Sequence, residues 1–282
     1  MTSGLNLGPP NAPPSVGEAA SRLRRTVSNW YSAGVLAAFV LPSRIPPRRG
    51  VHGTWLGRIP ITFRIADGSI IRCRVRDAGD VLSVFVDGDY RRMQIPWAEL
   101  RTVVDVGSTV GSFAVWAARR CPGARVIAVE PNPQVYPFLL DNIARNGLSE
   151  RVVAIEVALG KSNGSAAIED DDAISTLVRV VPETVGRGAV VTMLTIDELF
   201  RSNRLDHCDL LKLDCEGGEY DILLNASPDV LRSLDTVVCE YHPVPNHEPS
   251  ELITLFQNNG FEVEADGTPL GFIMATRPHS TP

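Results

Sequence analysis

The sequence predicts an α/β domain: a Rossmann-like sheet of seven strands closed by a terminal antiparallel hairpin, preceded by a small extension of one helix and a β-hairpin. Three observations carry this. Strand-like and helix-like segments alternate from Pro96 onward. The first five strand segments are nearly continuous apolar runs, as in parallel strands covered on both faces. Only Asp266-Gly267-Thr268-Pro269 separates the last two segments, too short for a parallel crossover.

Residues 1–15, rich in Pro, Gly and Asn, are expected to form a disordered tail, and residues 16–95 the extension. A helix is predicted from Ser15 to Leu41: Ser15 caps with Glu18 three positions on, Val16, Leu23, Val27 and Trp30 recur at helical spacing, and Pro42, Pro46 and Pro47 end it. Between Gly53 and Ile95 the texture turns to short β-like runs. Ile59–Ile65 and Ile70–Val75, joined by Ala66-Asp67-Gly68-Ser69, read as a hairpin.

Residues 96–282 form the main domain. Its strands are expected at Thr102–Val106, Arg125–Glu130, Val152–Val157, Asp209–Leu213, Thr236–Glu240, Phe261–Ala265 and Phe272–Thr276. Helices fit at Gly111–Arg120, Pro133–Asn146, Thr195–Arg201, Glu219–Leu224 and Pro249–Asn258, the third with a Thr195/Glu198 capping box. The acidic run Glu169-Asp170-Asp171-Asp172 falls in the long stretch between the third and fourth strands. It reads as a solvated hairpin tip, or alternatively as a lid acting through Ser175 and Thr176.

Composition bounds the function. A 44% hydrophobic, 21% charged chain can bury a sizeable core, and a net charge of −6 opposes general nucleic-acid affinity. No apolar run reaches the length of a membrane span, and the run Ala33–Leu41 lacks the small-x-small site of a cleaved leader. Five scattered cysteines without a CxxC pair read as free thiols in a reducing compartment, so a cytoplasmic location is expected. The N-terminal helix, with Trp30, Tyr31 and Phe39, packs on the domain, covers the pocket or builds a homodimer, the last being the expected assembly.

The strongest local signal is Val103-Val104-Asp105-Val106-Gly107-Ser108-Thr109-Val110-Gly111-Ser112, a strand ending in an acid and turning through glycines into a helix. Its glycines, Gly107 and Gly111, are expected to let the backbone approach a ligand closely, with Ser108 and Thr109 between them. The spacing is GxxxG rather than GxGxxG, so no pyrophosphate-binding turn is encoded, and Asp105 suits an amino group. Glu130, ending the next strand before Pro131, can accept from a ribose diol. Together these favour S-adenosylmethionine over NAD, and five parallel strands plus a hairpin is the class I methyltransferase layout. Ala158-Leu159-Gly160, after the third strand, are the candidate contacts for its adenine.

Leu211-Lys212-Leu213-Asp214-Cys215-Glu216-Gly217-Gly218-Glu219 makes the resemblance specific. With Val103–Phe113, Glu130-Pro131-Asn132 and Cys239-Glu240-Tyr241-His242-Pro243, it strongly resembles the FkbM family of methyltransferases, whose hallmark is a K-x-D-x-E-G-x-E stretch after the fourth strand. The resemblance runs from about Arg76 to Ala275, and Arg76-Asp77-Ala78-Gly79-Asp80 looks like that family's pre-domain hairpin. It implies S-adenosylmethionine-dependent transfer, usually to oxygen, on sugars, polyketides or related secondary metabolites. The family often has Asn where this chain has Thr109.

A hydroxyl nucleophile must lose its proton as it attacks a methyl group. Candidates at the ends of the fourth and fifth strands are Asp214, Glu216, Glu240 and His242. His242, with an ordinary pKa of ~6.5, is the leading general base. Glu240 orients it or takes the proton itself, and Asp214 positions donor or acceptor. Glu216, His242 and His247 are expected to face a small-molecule acceptor, although Glu216 and Glu219 also suit the start of the following helix. Asp214, Glu216, Glu240 and His242 are also residue types that gather around Mg²⁺, but without a dense ligand motif no metal is expected. The alternatives are an N-methyltransferase or NAD-dependent enzyme on a related fold, and a non-catalytic cofactor-binding domain.

Overall fold

The computed structural model describes residues 26, 27, 34, 55–88, 90, 93–170, 178–182, 188–268 and 270–278. Of the predicted helix Ser15–Leu41, only Thr26, Val27 and Gly34 are among them, so this helix and any dimer built through it lie outside the described residues. Val27 is buried and forms a single antiparallel bridge with Ile65.

The extension begins with the expected hairpin, β1 (Pro60–Arg64) paired with β2 (Ile70–Arg74). It then departs from expectation. Arg76–Asp80 is not a hairpin: Val75–Asp77 forms a 3-10 turn, leading into α1 (Ala78–Val81) and a wider helical turn over Leu82–Asp87. The Asp77 carboxylate accepts from Arg74 Nε at 2.6 Å in a mostly buried ion pair that folds the chain back where β2 ends. Of the β-like texture expected up to Ile95, residues 75–87 are thus helical.

The main sheet is as the apolar runs predict. Its strands are β3 (Thr102–Val106), β4 (Arg125–Val129), β5 (Val152–Ile155), β10 (Cys208–Leu213), β11 (Leu234–Tyr241), β12 (Glu262–Ala265) and β13 (Gly271–Thr276), in the order β12-β13-β11-β10-β3-β4-β5. The last five in that order are parallel, and β13 pairs antiparallel with both β11 and β12. The helices are α2 (Ser112–Arg120), α3 (Tyr136–Arg145), α4 (Ile196–Asn203), α5 (Glu219–Leu223), α6 (Pro228–Arg232) and α7 (Pro249–Asn258). Thr195 caps α4 by accepting from Glu198 N, and α7 carries Pro249 in its first turn. Helix α6, absent from the sequence expectation, is capped by Ser227 Oγ.

Between β5 and α4 the chain builds a second sheet that the sequence reading left as a long connection. It contains β6 (Ala158–Leu159), β7 (Gly164–Asp170), β8 (Val178–Pro182) and β9 (Ala189–Leu194), ordered β6-β9-β7-β8. Of the acidic run, Glu169 and Asp170 end β7, paired with Arg179 and Val178 of β8; residues 171–177, including Asp171, Asp172 and the proposed lid residues Ser175 and Thr176, lie outside the described residues.

Alternation along the strands sorts the core into two layers. Val104, Val106, Leu211, Leu213, Val237, Cys239 and Tyr241 pack on one face. Val103, Leu210 and Val238 pack on the other, in one cluster with Phe63, Ile71, Val81, Phe85 and Tyr90 of the extension and Phe113 and Trp116 of α2. The boundary at residue 96 marks a change of sequence texture, while the core runs straight across it. Asn142 of α3 and Asn146, which caps its C-terminus, fasten the hairpin. Each side-chain amide both donates to and accepts from the β2 backbone, at Arg72 and Ile70 respectively, over 2.7–3.0 Å.

Candidate functional site

Asp105, Lys212 and Glu240 alternate onto the face that the extension covers. Register sets Lys212 of β10 directly beside Asp105 of β3. Lys212 Nζ lies 3.1 Å from Asp105 Oδ1 and 3.7 Å from Asp214 Oδ2, and donates to Gly107 O at 3.0 Å. Burial opposes the charge on Lys212, but Asp105, Tyr90, Asp214 and Asp80 outweigh it and hold the ammonium protonated. Neither oxygen of Asp105 accepts an aligned hydrogen bond from the described residues, so the ion pair with Lys212 leaves accepting capacity unused.

The turn from β3 to α2 is built on backbone geometry. Gly107 (φ +76°) and Gly111 (φ +85°) are both left-handed. The protein itself supplies a reason for them beside the close ligand approach expected. A Cβ on Gly107 would stand 1.8 Å from the carbonyl oxygen of Asp214, and one on Gly111 2.6 Å from Leu139 Cδ1. The glycines therefore let this turn close against the end of β10 and against α3. Ser108 Oγ donates to Asp105 O at 2.9 Å, which makes it a brace within the turn. Thr109 is itself left-handed (φ +46°), an uncommon conformation for a β-branched residue.

Glu130 ties the second strand to that turn. Its Oε2 accepts from Thr109 N at 2.9 Å and its Oε1 from Asn132 N at 2.8 Å. Burial pushes its carboxyl up to about 7 despite these bonds and the charge of Lys212. Pro131 follows, half-buried. Ala158 and Leu159 lie beyond the end of β5, but as buried residues of β6 paired with Met193 and Leu194.

On the acceptor side, the structure brings together three of the predicted residues. Single ligand-type atoms of Asp214, Glu240 and His242 all lie within 4.8 Å of one another. Glu216, left-handed at φ +54°, approaches from the loop, with Oε2 3.5 Å from His242 Nε2. His247 is engaged elsewhere: its ring stacks on Tyr220 at 4.8 Å and Nδ1 lies 3.2 Å from Glu251. A second His/Asp group, His207–Asp209–Asp235, lies at the opposite end of the sheet, where β10 and β11 begin.

Glu219 is the residue that sequence reasoning undervalued. It is fully buried, accepts from Cys215 N at 2.7 Å and Gly217 N at 2.9 Å, and places Oε1 3.2 Å from His242 Nδ1. It both shapes the loop after β10 and grips the histidine. Burial alone would lower the pKa of His242, but Glu219, then Glu216 and Asp214, raise it to about 9. His242 is therefore an imidazolium at neutral pH, not the freely titrating base expected from an ordinary histidine. Cys215, half-buried beside the site, is a free thiol whose pKa burial and Glu219 push well up, so it stays neutral.

A family model described as the Methyltransferase FkbM domain matches residues 105–263, from the acid of the glycine turn to the edge strand. The chain belongs to the FkbM methyltransferase family. The match to the FkbM domain starts at Asp105 and leaves the hairpin and α1 outside the matched residues. Similar relatives include methyltransferase sdnD of Sordaria araneosa, 24% identical over 65% of this chain and 81% of that protein. The 31-O-demethyl-FK506 methyltransferase FkbM of Streptomyces tacrolimicus is 24% identical over 66% of this chain and 82% of its own length. The hexuronic acid methyltransferase AglP of Haloferax volcanii is 29% identical over 55% of this chain and 62% of its own. Among the described residues no helix is long and apolar enough to cross a membrane.

Proposed function

We propose that the chain is an S-adenosylmethionine-dependent O-methyltransferase acting on a hydroxyl group of a small molecule, a sugar, glycoside or polyketide-type metabolite. The observation that carries this reading is the cluster Asp214–Glu240–His242 at the carboxyl ends of β10 and β11, beside the Asp105 turn in a methyltransferase domain. The residues present fit the donor. Asp105 is buried with unused acceptor capacity toward an amino group, and Glu130 is a buried carboxyl at the strand end where a ribose diol is read. Ser108, Thr109 and Gly111 shape the wall between them. When bound, S-adenosylmethionine supplies an electrophilic methyl group.

The protein's own task is to hold the acceptor in line and to take its proton. We assign His242 as the base. Flanked by Glu219 and Glu216, it has a high proton affinity once deprotonated, and Glu240 and Asp214 offer carboxylates that orient the acceptor hydroxyl. Glu216 lines the acceptor side. The substrate class draws on the relatives, one named for 31-O-demethyl-FK506 and one for a hexuronic acid.

Methyl-labelled donor offered with hexuronic sugars and macrolide alcohols tests the reading by the label recovered in an O-methyl group. With a reacting alcohol, kcat/KM should rise between pH ~6.5 and the raised pKa of about 9, as the imidazolium gives up its proton. His242→Gln should cost ~10²–10⁴-fold in kcat with donor affinity nearly intact. Full activity in that variant removes the assignment. A second reading, in which Asp214, Glu240 and His242 hold a divalent ion that acidifies the hydroxyl, is favoured by their clustering alone. It predicts loss of activity in a chelator and recovery with Mg²⁺.

A further inference from the structure

Asp105 is not the only carboxyl on the covered face of the sheet. Helix α1 carries Asp80 to the β3–α2 turn, where its carboxyl faces the hydroxyls of Ser112 and Thr109, with Lys212 and Asp105 next to it. Burial pushes this carboxyl up to about 6, with the charge of Asp105 adding to the rise and the hydroxyls and Lys212 opposing it. Both hydroxyls lie close enough to the acid to lower its pKa. Oδ2 of Asp80, Oδ2 of Asp105, Oγ1 of Thr109 and Oγ of Ser112 are buried without a hydrogen bond of ordinary geometry among the described residues, while Asp105 Oδ1 has the Lys212 ammonium at 3.1 Å.

Four such oxygens around one turn are a marked concentration, because each buried polar atom without a partner costs about 1–3 kcal/mol. Lys212 does not resolve it. Its ammonium is already divided among Asp105, Asp214 and the Gly107 carbonyl. The group whose chemistry answers two carboxyls and two hydroxyls is a primary ammonium, with three donors and a positive charge. A phosphate or a carboxylate would be repelled there.

We propose that Asp80 is a second carboxylate for the α-ammonium of the methyl donor, so that the extension, through α1, completes the donor site with Asp105. This rests on the S-adenosylmethionine reading above. It also gives the shared core of extension and main domain a purpose: Val81, Leu82 and Phe85 are buried in that core, which fixes α1 over the turn. Asp80 lies outside the residues that the family model matches.

The test is calorimetric titration of the full chain with S-adenosylhomocysteine and, separately, with 5′-methylthioadenosine, which lacks the amino-acid end. Asp80→Asn should weaken S-adenosylhomocysteine binding roughly 10- to 100-fold, the loss expected for one charge-assisted hydrogen bond, and leave methylthioadenosine binding within about twofold. Asp80→Glu, which keeps the charge but displaces it, should show a smaller loss, again for S-adenosylhomocysteine alone. Equal weakening of both ligands would assign Asp80 a structural role and overturn the proposal, as would unchanged S-adenosylhomocysteine affinity. If the unaltered chain binds neither ligand, the donor reading falls and takes the proposal with it.

Discussion

His242 shows how far a residue's chemistry depends on what the chain folds against it. Two carboxylates, Glu219 at Nδ1 and Glu216 at Nε2, raise its pKa from 6.5 to about 9 against the pull of burial. Its folded pKa lies above the unfolded value. The stability it contributes is therefore complete below pH ~6.5 and is lost as pH rises through about 9. Glu219→Gln should bring the His242 titration, followed by NMR of the imidazole, back toward ~6.5 and shift the rising limb of kcat/KM to lower pH with it. A titration still centred near 9 in that variant would show that Glu219 is not the cause. Asp214, Glu240 and His242 were legible in sequence because they end consecutive apolar strands. Glu219 was not, since an acid opening a helix looks like simple charge complementarity, and its hold on Cys215 N, Gly217 N and His242 appears only once the loop is folded. Asp80 was hidden for a related reason: it lies far in sequence from the turn it faces, in a segment read as a hairpin.

At the scale of the element, the turn between β3 and α2 carries the most information. Its glycines were legible as obligatory, but this packing reason was not, because the Asp214 carbonyl that excludes a Cβ at Gly107 comes from the end of another strand. Thr109 carries the strain of this turn, a β-branched residue at φ +46°. Asparagine, which the FkbM pattern often has there, tolerates the left-handed region far better. Thr109→Asn should thus stabilise the chain by on the order of 1 kcal/mol, seen by scanning calorimetry as a Tm rise of roughly 2–4 °C. Glu130 would keep its bond from the backbone N–H of residue 109. A lower Tm would mean that the threonine side chain contributes more than its backbone costs. Elsewhere the parallel strands were readable from unbroken apolar runs, whereas β6–β9 were not. Strand β9 is exposed or half-buried at every position, and such a strand lacks the buried alternation that marks one in sequence.

At the scale of the molecule, extension and main domain share one core on the sheet's covered face, and the proposed donor side of the site lies on that face. The acceptor side lies at the strand ends, where His242 is held by the loop after β10. The fold order followed from local pattern, while the joining of the two regions did not, because residues 75–87 pack against strands that come much later in the chain. The central claim is that the Asp105–Glu130 turn holds S-adenosylmethionine rather than a dinucleotide. Calorimetric titration of the full chain with S-adenosylhomocysteine, with NAD in parallel, tests it most directly. The account predicts micromolar binding of S-adenosylhomocysteine, weakened by Glu130→Ala, and no binding of NAD. Binding of NAD, or of neither ligand, would contradict it.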